Sequence, residues 1–291
     1  MRKRLVYAAD PRWAEAARQL DEIVAACGSN ALKDEGRTRA CLVPGPDGTP
    51  VFVKRVRTGS WLGGLAAMAR GSRVRRWLAG AAMLEAAGFN HPTPLAALEV
   101  RRAGAVTECY LACTALSRAT ILSRAVFGDG SVDLRRRRAL LGAVAHEVRR
   151  LHDAGLYTHD LQETNLMVEA GAGAAPRIWF VDLEDFRHAR TVSWHRRLTN
   201  LIHLDRSLGR FLSRGTRMRF LRDYVEGMAP GRNERRRLVA EFLRMRARVE
   251  KRRRLQSPRR PTLDDAAAVP APSPRRAGAG GPVELAPRAG D

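Results

Sequence analysis

The chain has 291 residues, 45% of them hydrophobic, and a formal net charge of +22, which allows one two-lobed domain or two small ones and calls for anionic partners. No stretch approaches the roughly 18 apolar residues of a spanning helix. The apolar run before Asp10 is too short for a secretory signal, and the four cysteines have no nearby His to complete a metal set, so the expected chain is reduced and cytoplasmic, soluble or peripheral at a membrane.

Residues 11–28 predict a helix, with Pro11 in the first turn and Trp13, Ala17, Leu20 and Val24 at helical spacing. Gly28-Ser29-Asn30 ends it, which makes residues 1–30 a helical extension. A strand pair follows, turning at Asp47-Gly48, a strong hairpin signal. On its second strand Val51, Val53 and Arg55 share one face, and Phe52, Lys54 and Val56 the other. Lys54 therefore lies among apolar neighbours and needs an anion or a path to water. In the preceding strand Gly36 sits at the tip of DEGRT, with Arg37 and Arg39 beside it. Residues 58–71 read as a loop with a short amphipathic turn. A helix over 72–87 carries an apolar stripe from Val74 to Ala87, is capped by Gly88, and has Glu85, near its end, as its only acid. HPTPLAALEV and VTECYLACTAL read as two strands joined by RRAGA. Residues 133–154 read as a long helix with Leu134, Leu141, Val144, Val148 and Leu151 inward; His146 and His152 read there as satisfied helix residues rather than ligands.

The stretch YTHDLQETNLMVE, a Gly/Ala/Pro-rich break and IWFVDLEDF come next. They set Asp160 and Asn165 five positions apart on one loop and Asp182 at the end of an apolar strand. An acid can accept a proton from a hydroxyl, and an amide with a second acid can hold Mg²⁺ through hard oxygens. Taken singly these residues are ordinary turn formers; as an ordered set they have the spacing of a kinase catalytic loop and its metal-binding Asp. Leu198, Leu201, Leu204, Leu208 and Phe211 then suggest one helix, and Phe220, Leu221 and Tyr224 a second. Residues 232–255 form a basic helix, read either as packed on the large lobe with a solvated face or as a patch for a membrane surface or nucleic acid. Aromatic residues are 6% and are not interleaved with the basic runs, so nucleic acid is an unlikely partner. From Gln256 the composition predicts disorder.

The succession from the VFVKR hairpin through YTHDLQETN to FVDLED and the Leu-rich segment ending in RFLRDYV resembles the lipopolysaccharide core kinases, the Kdo/WaaP family, over about residues 30–228. The resemblance implies an α+β, two-lobed protein-kinase-like fold. It would comprise a small antiparallel-sheet lobe over 31–115, a helical lobe over 116–255 carrying the catalytic loop, and a tail over 256–291. It implies ATP and Mg²⁺ as cofactors and a sugar hydroxyl of the lipopolysaccharide inner core, or a related glycolipid, as acceptor. Contact with anionic lipid of the inner membrane's cytoplasmic face goes with this. In the matching positions Asp160 is the catalytic base, Asn165 and Asp182 the metal ligands, and Lys54 the nucleotide lysine, with Gly36 and Arg37 over the phosphates. The chain departs from protein kinases in three ways: it lacks a G-x-G-x-x-G lid, has Gln162 where Ser/Thr kinases carry Lys, and has no A-P-E after Asp182. The rival reading is a pseudokinase that holds nucleotide without turnover, or a small-molecule or protein kinase of the same fold.

Overall fold

The computed structural model describes residues 2–27, 31–58, 71–128, 133–169, 175–226, 228 and 231–256. The helix stop at 28–30, most of the 58–71 loop, and the tail from 257 lie outside these residues.

Residues 2–8, read in sequence as part of a helical extension, form strand β1 (Arg2–Ala8). Its basic, mostly exposed side chains suit the sheet edge it occupies. The helix expected over 11–28 is two helices, α1 (Pro11–Ala17) and α2 (Leu20–Ala26), interrupted at Arg18-Gln19. Strands β2 (Lys33–Glu35), β3 (Thr38–Pro44) and β4 (Pro50–Arg57) follow, then helix α3 (Arg73–Ala86) and strands β5 (Pro94–Arg102) and β6 (Ala105–Thr114). The six strands make one antiparallel sheet in the order β1-β5-β6-β4-β3-β2. The two-residue β5–β6 turn, Ala103-Gly104, has positive φ at both positions, as hairpin twist prefers.

Period-two alternation decides what each sheet face meets. Val51 and Val53 of β4 join Cys41, Leu98, Val100 and Tyr110 under Trp13, Ala17, Leu20 and Val24 of the two N-terminal helices. Lys54 and Val56 are left for the opposite face, toward α3.

The helical lobe begins with β7 (Ala119–Ile121), α4 (Leu122–Phe127) and α5 (Leu134–Asp153). The stretch from Leu156 to His188 supplies β8 (Leu156–Thr158), β9 (Leu166–Glu169), β10 (Arg177–Phe180) and β11 (Phe186–His188). Three helices complete the described residues: α6 (Trp194–Leu208), α7 (Arg214–Val225) and α8 (Arg232–Gln256). Side-chain caps mark several of these starts: Asp133 accepts from Arg135 N, Ser193 from Arg196 N and Ser213 from Thr216 N. The core is built from Leu141, Val144, Val148 and Leu151 of α5, Leu198, Leu201, Leu204 and Leu208 of α6, and Leu221 and Tyr224 of α7. Leu134, expected inward, is 59% exposed, and Phe211, expected on one helix with Leu208, is 53% exposed. Leu134 opens α5 before the helix reaches the core, and Phe211 lies beyond the end of α6, edge-on to Phe127. Asp205 of α6 ties the last helices down, accepting from Arg217 of α7 and, at 2.6 Å, from Arg246 of α8.

Candidate active site

An ion pair on the β4 face joins the two lobes. Lys54 Nζ donates to Asp182 Oδ1 at 2.9 Å, with the lysine side chain 22% and the aspartate 34% exposed. A small cavity lined by Lys54, Val56, Val74, Trp77, Leu111 and Asp182 lies beside it. A lysine on an apolar strand face thus finds the anion its position demanded.

Asp182 is placed by the β9–β10 hairpin. The last pair of its register is Leu166 with Phe180, and Val181 N donates to Asn165 O at 3.0 Å. Asn165 and Val181 therefore face each other at the hairpin end, and Asp182 is the next residue along. Asp182 has φ 58° and ψ 64°, the left-handed region, which Asp tolerates better than most residues. Asp160 lies on the loop that leads into this hairpin. Its carboxylate accepts from Gln162 Nε2 through Oδ1 and from Asn165 Nδ2 at 3.2 Å through Oδ2; Asn165 Nδ2 also donates to the Asp160 carbonyl at 2.9 Å. Both acceptors oblige the amide nitrogen of Asn165 to face Asp160, which leaves its oxygen without a hydrogen-bond partner among the described residues. The second oxygen of Asp182 is likewise unengaged. One carboxylate oxygen and one amide oxygen suit Mg²⁺, which keeps few protein ligands and takes the rest from phosphates and water. Among the described residues no three His, Cys, Asp or Glu converge on a metal position, so the residues fit a nucleotide-borne Mg²⁺ rather than an all-protein cage.

The loop is held from beneath by a buried polar network. Asn200 of α6 accepts from Thr158 N at 3.3 Å and donates to the Thr158 carbonyl, fixing β8 two residues before Asp160. The same Asn200 oxygen faces His152 Nε2 at 3.0 Å, while His152 Nδ1 meets Tyr224 OH at 2.7 Å. The neutral tautomer with the proton on Nε2 satisfies all three groups. Arg197 adds bonds to Asp153 at 2.7 Å and to the His152 carbonyl at 3.2 Å, a cation at the end of α5. Burial, with the Arg197 charge, pushes the His152 imidazole down to about 4 from 6.5, against the hydrogen bond it donates to Asn200. Between those values the unfolded chain binds a proton that the folded chain refuses. This contribution to stability is therefore complete above pH 6.5 and lost as pH falls toward 4, by up to about 3 kcal/mol. Urea unfolding at a series of pH values checks it: His152→Gln should flatten the slope in that window.

Helix α3 holds the segment around Asp182 in place. At its start, Ser72 donates to Glu99 Oε1 at 2.6 Å and accepts from Arg75 N. Burial pushes the Glu99 carboxyl up, but bonds from Ser72 and Arg101 outweigh it and leave the group below its ordinary value. Arg73 donates to Glu184 at 2.7 Å, and Arg76 lies 3.5 Å from the same carboxylate. Glu184 is two residues past Asp182; burial raises its carboxyl and Arg73 pulls it back. At the far end, Asn90 Nδ2 donates to Ile178 O, and Phe180 N donates to Asn90 O at 3.0 Å. In protein kinases this helix contributes an acid to the lysine. Here it contributes bases to Glu184, and the lysine goes to Asp182 directly. Glu85, the only acid of α3, is exposed and makes no ion pair among the described residues. An Arg73→Ala/Glu184→Gln double-mutant cycle read by denaturant unfolding should show coupling of about 1 kcal/mol.

Gly36 and Arg37 are the two turn residues of the β2–β3 hairpin, Gly36 at φ 47° and the flanking pair being Glu35 with Thr38. Arg39 is occupied by Asp34 at 3.0 Å and by the Val24 carbonyl. Of the residues singled out in sequence, Lys54 pairs with Asp182 and Asn165 bonds to Asp160, the Val181–Asn165 backbone bond sets these two pairs side by side, and the Gly36–Arg37 turn lies on the same sheet as Lys54. Glu184, Glu99, Arg73 and Asn200 went unnoticed. For Glu184, Glu99 and Asn200 the only sequence signal is an acid or an amide within an apolar run, which periodicity marks as buried and therefore partnered; Arg73 carries none.

A sheet lobe, a helical lobe and an Asp-Asn-Asp set facing a strand lysine define a protein-kinase-like fold. The model of the lipopolysaccharide kinase (Kdo/WaaP) family matches residues 71–224, and the chain belongs to that family. Among solved structures, WaaP in complex with acyl carrier protein is similar at 23% identity and a TM-score of 0.59, over 84% of this chain and 98% of that one. No curated protein matches.

Proposed function

We propose that this kinase transfers the γ-phosphoryl group of ATP to a sugar hydroxyl of the lipopolysaccharide inner core, Kdo or heptose, or of a related glycolipid. The observation that carries the reading is the assembly of Asp160, Asn165 and Asp182 around the end of one hairpin, with Lys54 across the cleft. Asp160 has the oxygens to accept the proton of an acceptor hydroxyl, and Gln162 and Asn165 aim them. Lys54 neutralises the nucleotide's α/β charge once its bond to Asp182 is released, and the Gly36–Arg37 turn covers the phosphates. Mg²⁺, held by Asn165 and Asp182, would neutralise the charge of the transferring group. Positioning and electrostatics suffice, since phosphoryl transfer asks little covalent chemistry of the protein. The short segment between Asp182 and α6 leaves little room for a regulated activation loop, which favours a small acceptor over a protein.

Mass spectrometry of core lipid incubated with the protein, ATP and Mg²⁺ tests the reading: a gain of one phosphate is expected, and none in the absence of the enzyme. Lys54→Met should weaken ATP binding roughly 10–100-fold, the worth of one charge-assisted hydrogen bond. The exposed Glu85 and the short lid turn support a second reading, a nucleotide-binding pseudokinase. Mg²⁺-dependent stabilisation by ATP with no phosphate gained on any core lipid would establish it. The partner of the solved neighbour suggests one further check, whether acyl carrier protein binds this chain.

A further inference from the structure

We propose that the groove between α7 and the first turns of α8 docks the phosphate headgroups of an anionic bilayer. Arg219 and Arg222 from α7 and Arg232, Arg235 and Arg236 from α8 line it, and Glu226 is the only acid that does. Arg222 pairs with Asp223 at 3.4 Å. The other four guanidinium groups have no ion-pair or hydrogen-bond partner among the described residues, whereas Arg73, Arg101, Arg197, Arg217 and Arg246 are all committed to acids. Four uncompensated guanidinium groups around one concavity repel one another, and a phosphate, which a planar guanidinium meets with two parallel hydrogen bonds, relieves that repulsion.

The groove is not only basic. Met218, Val225 and Val239 contribute to its lining, and Leu243, 40% exposed, stands at it too. The open groove offers about 670 Å³, within the usual range of small-molecule sites. Guanidinium groups beside apolar side chains match the boundary of an amphiphile, where phosphate gives way to acyl chain. A bilayer is favoured over an acidic polypeptide because the groove offers these apolar contacts and because the proposed acceptor is itself a membrane glycolipid; to that extent the inference rests on the proposed function. The apolar stripe of α8, with Phe242 buried, packs the helix, and the bases lining the groove remain for the membrane.

The test is cosedimentation of the full chain with vesicles of phosphatidylglycerol and phosphatidylcholine, against phosphatidylcholine alone. The groove variant is R232Q/R235Q/R236Q. The control is R135Q/R136Q/R138Q, which removes the same charge from exposed positions on α5. With each interfacial cation worth roughly a factor of five, the groove variant should bind anionic vesicles more than tenfold less tightly, and the control less than threefold. Equal losses would show diffuse attraction and overturn the proposal, as would wild-type binding with no preference for phosphatidylglycerol. A groove variant that loses binding to polyglutamate but keeps its vesicle binding would also overturn it, by assigning the groove to an acidic polypeptide. Phosphoryl transfer to delipidated core oligosaccharide is followed in parallel. If wild type lacks that turnover the proposed function fails; if only vesicle binding departs from expectation, the groove assignment fails alone.

Discussion

Asp160→Asn should slow phosphoryl transfer by roughly 10²–10⁴-fold, the usual worth of a positioned proton acceptor, and change ATP affinity by only a few-fold. The reason lies in what surrounds the carboxylate. Gln162 and Asn165 both present amide nitrogens to it, so an asparagine there can satisfy at most one of them with its single oxygen. Its own nitrogen would face a donor. The variant therefore loses the proton acceptor and one of the two amide contacts together, and Asp160→Glu should rescue little because the added methylene displaces the oxygens both amides hold. Single-turnover product formation and thermal shift with ATP separate the two effects. Turnover at the wild-type rate would remove Asp160 from the mechanism.

Gly80→Ala should cost about 1–3 kcal/mol of stability, the usual price of overpacking, and should reduce turnover as well. Gly80 is a buried position of α3, and a Cβ built on it overlaps the Leu183 carbonyl oxygen, a backbone atom that cannot rotate away. Leu183 directly follows Asp182, so the helix and the Asp182 segment must separate. The shift would also lengthen the Arg73–Glu184 contact. Denaturant unfolding reads the stability, and turnover at saturating ATP reads the displacement of Asp182. An alanine variant with unchanged stability and rate would show that α3 does not set that segment. Gly142, a glycine of α5 where an added Cβ meets nothing closer than 3.7 Å, is the control and should tolerate alanine.

These two predictions draw on different kinds of information. The Asp160–Asn165 spacing lies within one loop and could be read from residue types alone. So could the helical stripe of α3, the Asp47-Gly48 turn, and the odd placement of Lys54 on an apolar strand face. Gly80 could not. It reads as one more small residue in AGAAM, and only packing against Leu183 shows why no larger residue fits. Strand β1 escaped for a related reason: its basic side chains carry no apolar alternation, and its conformation comes from the edge of β5, which lies more than eighty residues away in sequence.

The sequence by itself determined the kinds of groups available, their local spacing and the face each element turns inward, because these follow from backbone periods of two and 3.6 residues and from short-range turn chemistry. Only the tertiary structure decided which charges meet. It sent Lys54 to Asp182, the bases of α3 to Glu184, and Asn200 to the strand before Asp160, and it set four arginines without an ion-pair partner among the described residues around one groove. A side chain's periodicity reports the surface it faces. Its partner across a long loop depends on how whole elements pack, and that is settled by burial of apolar faces before any charge is matched.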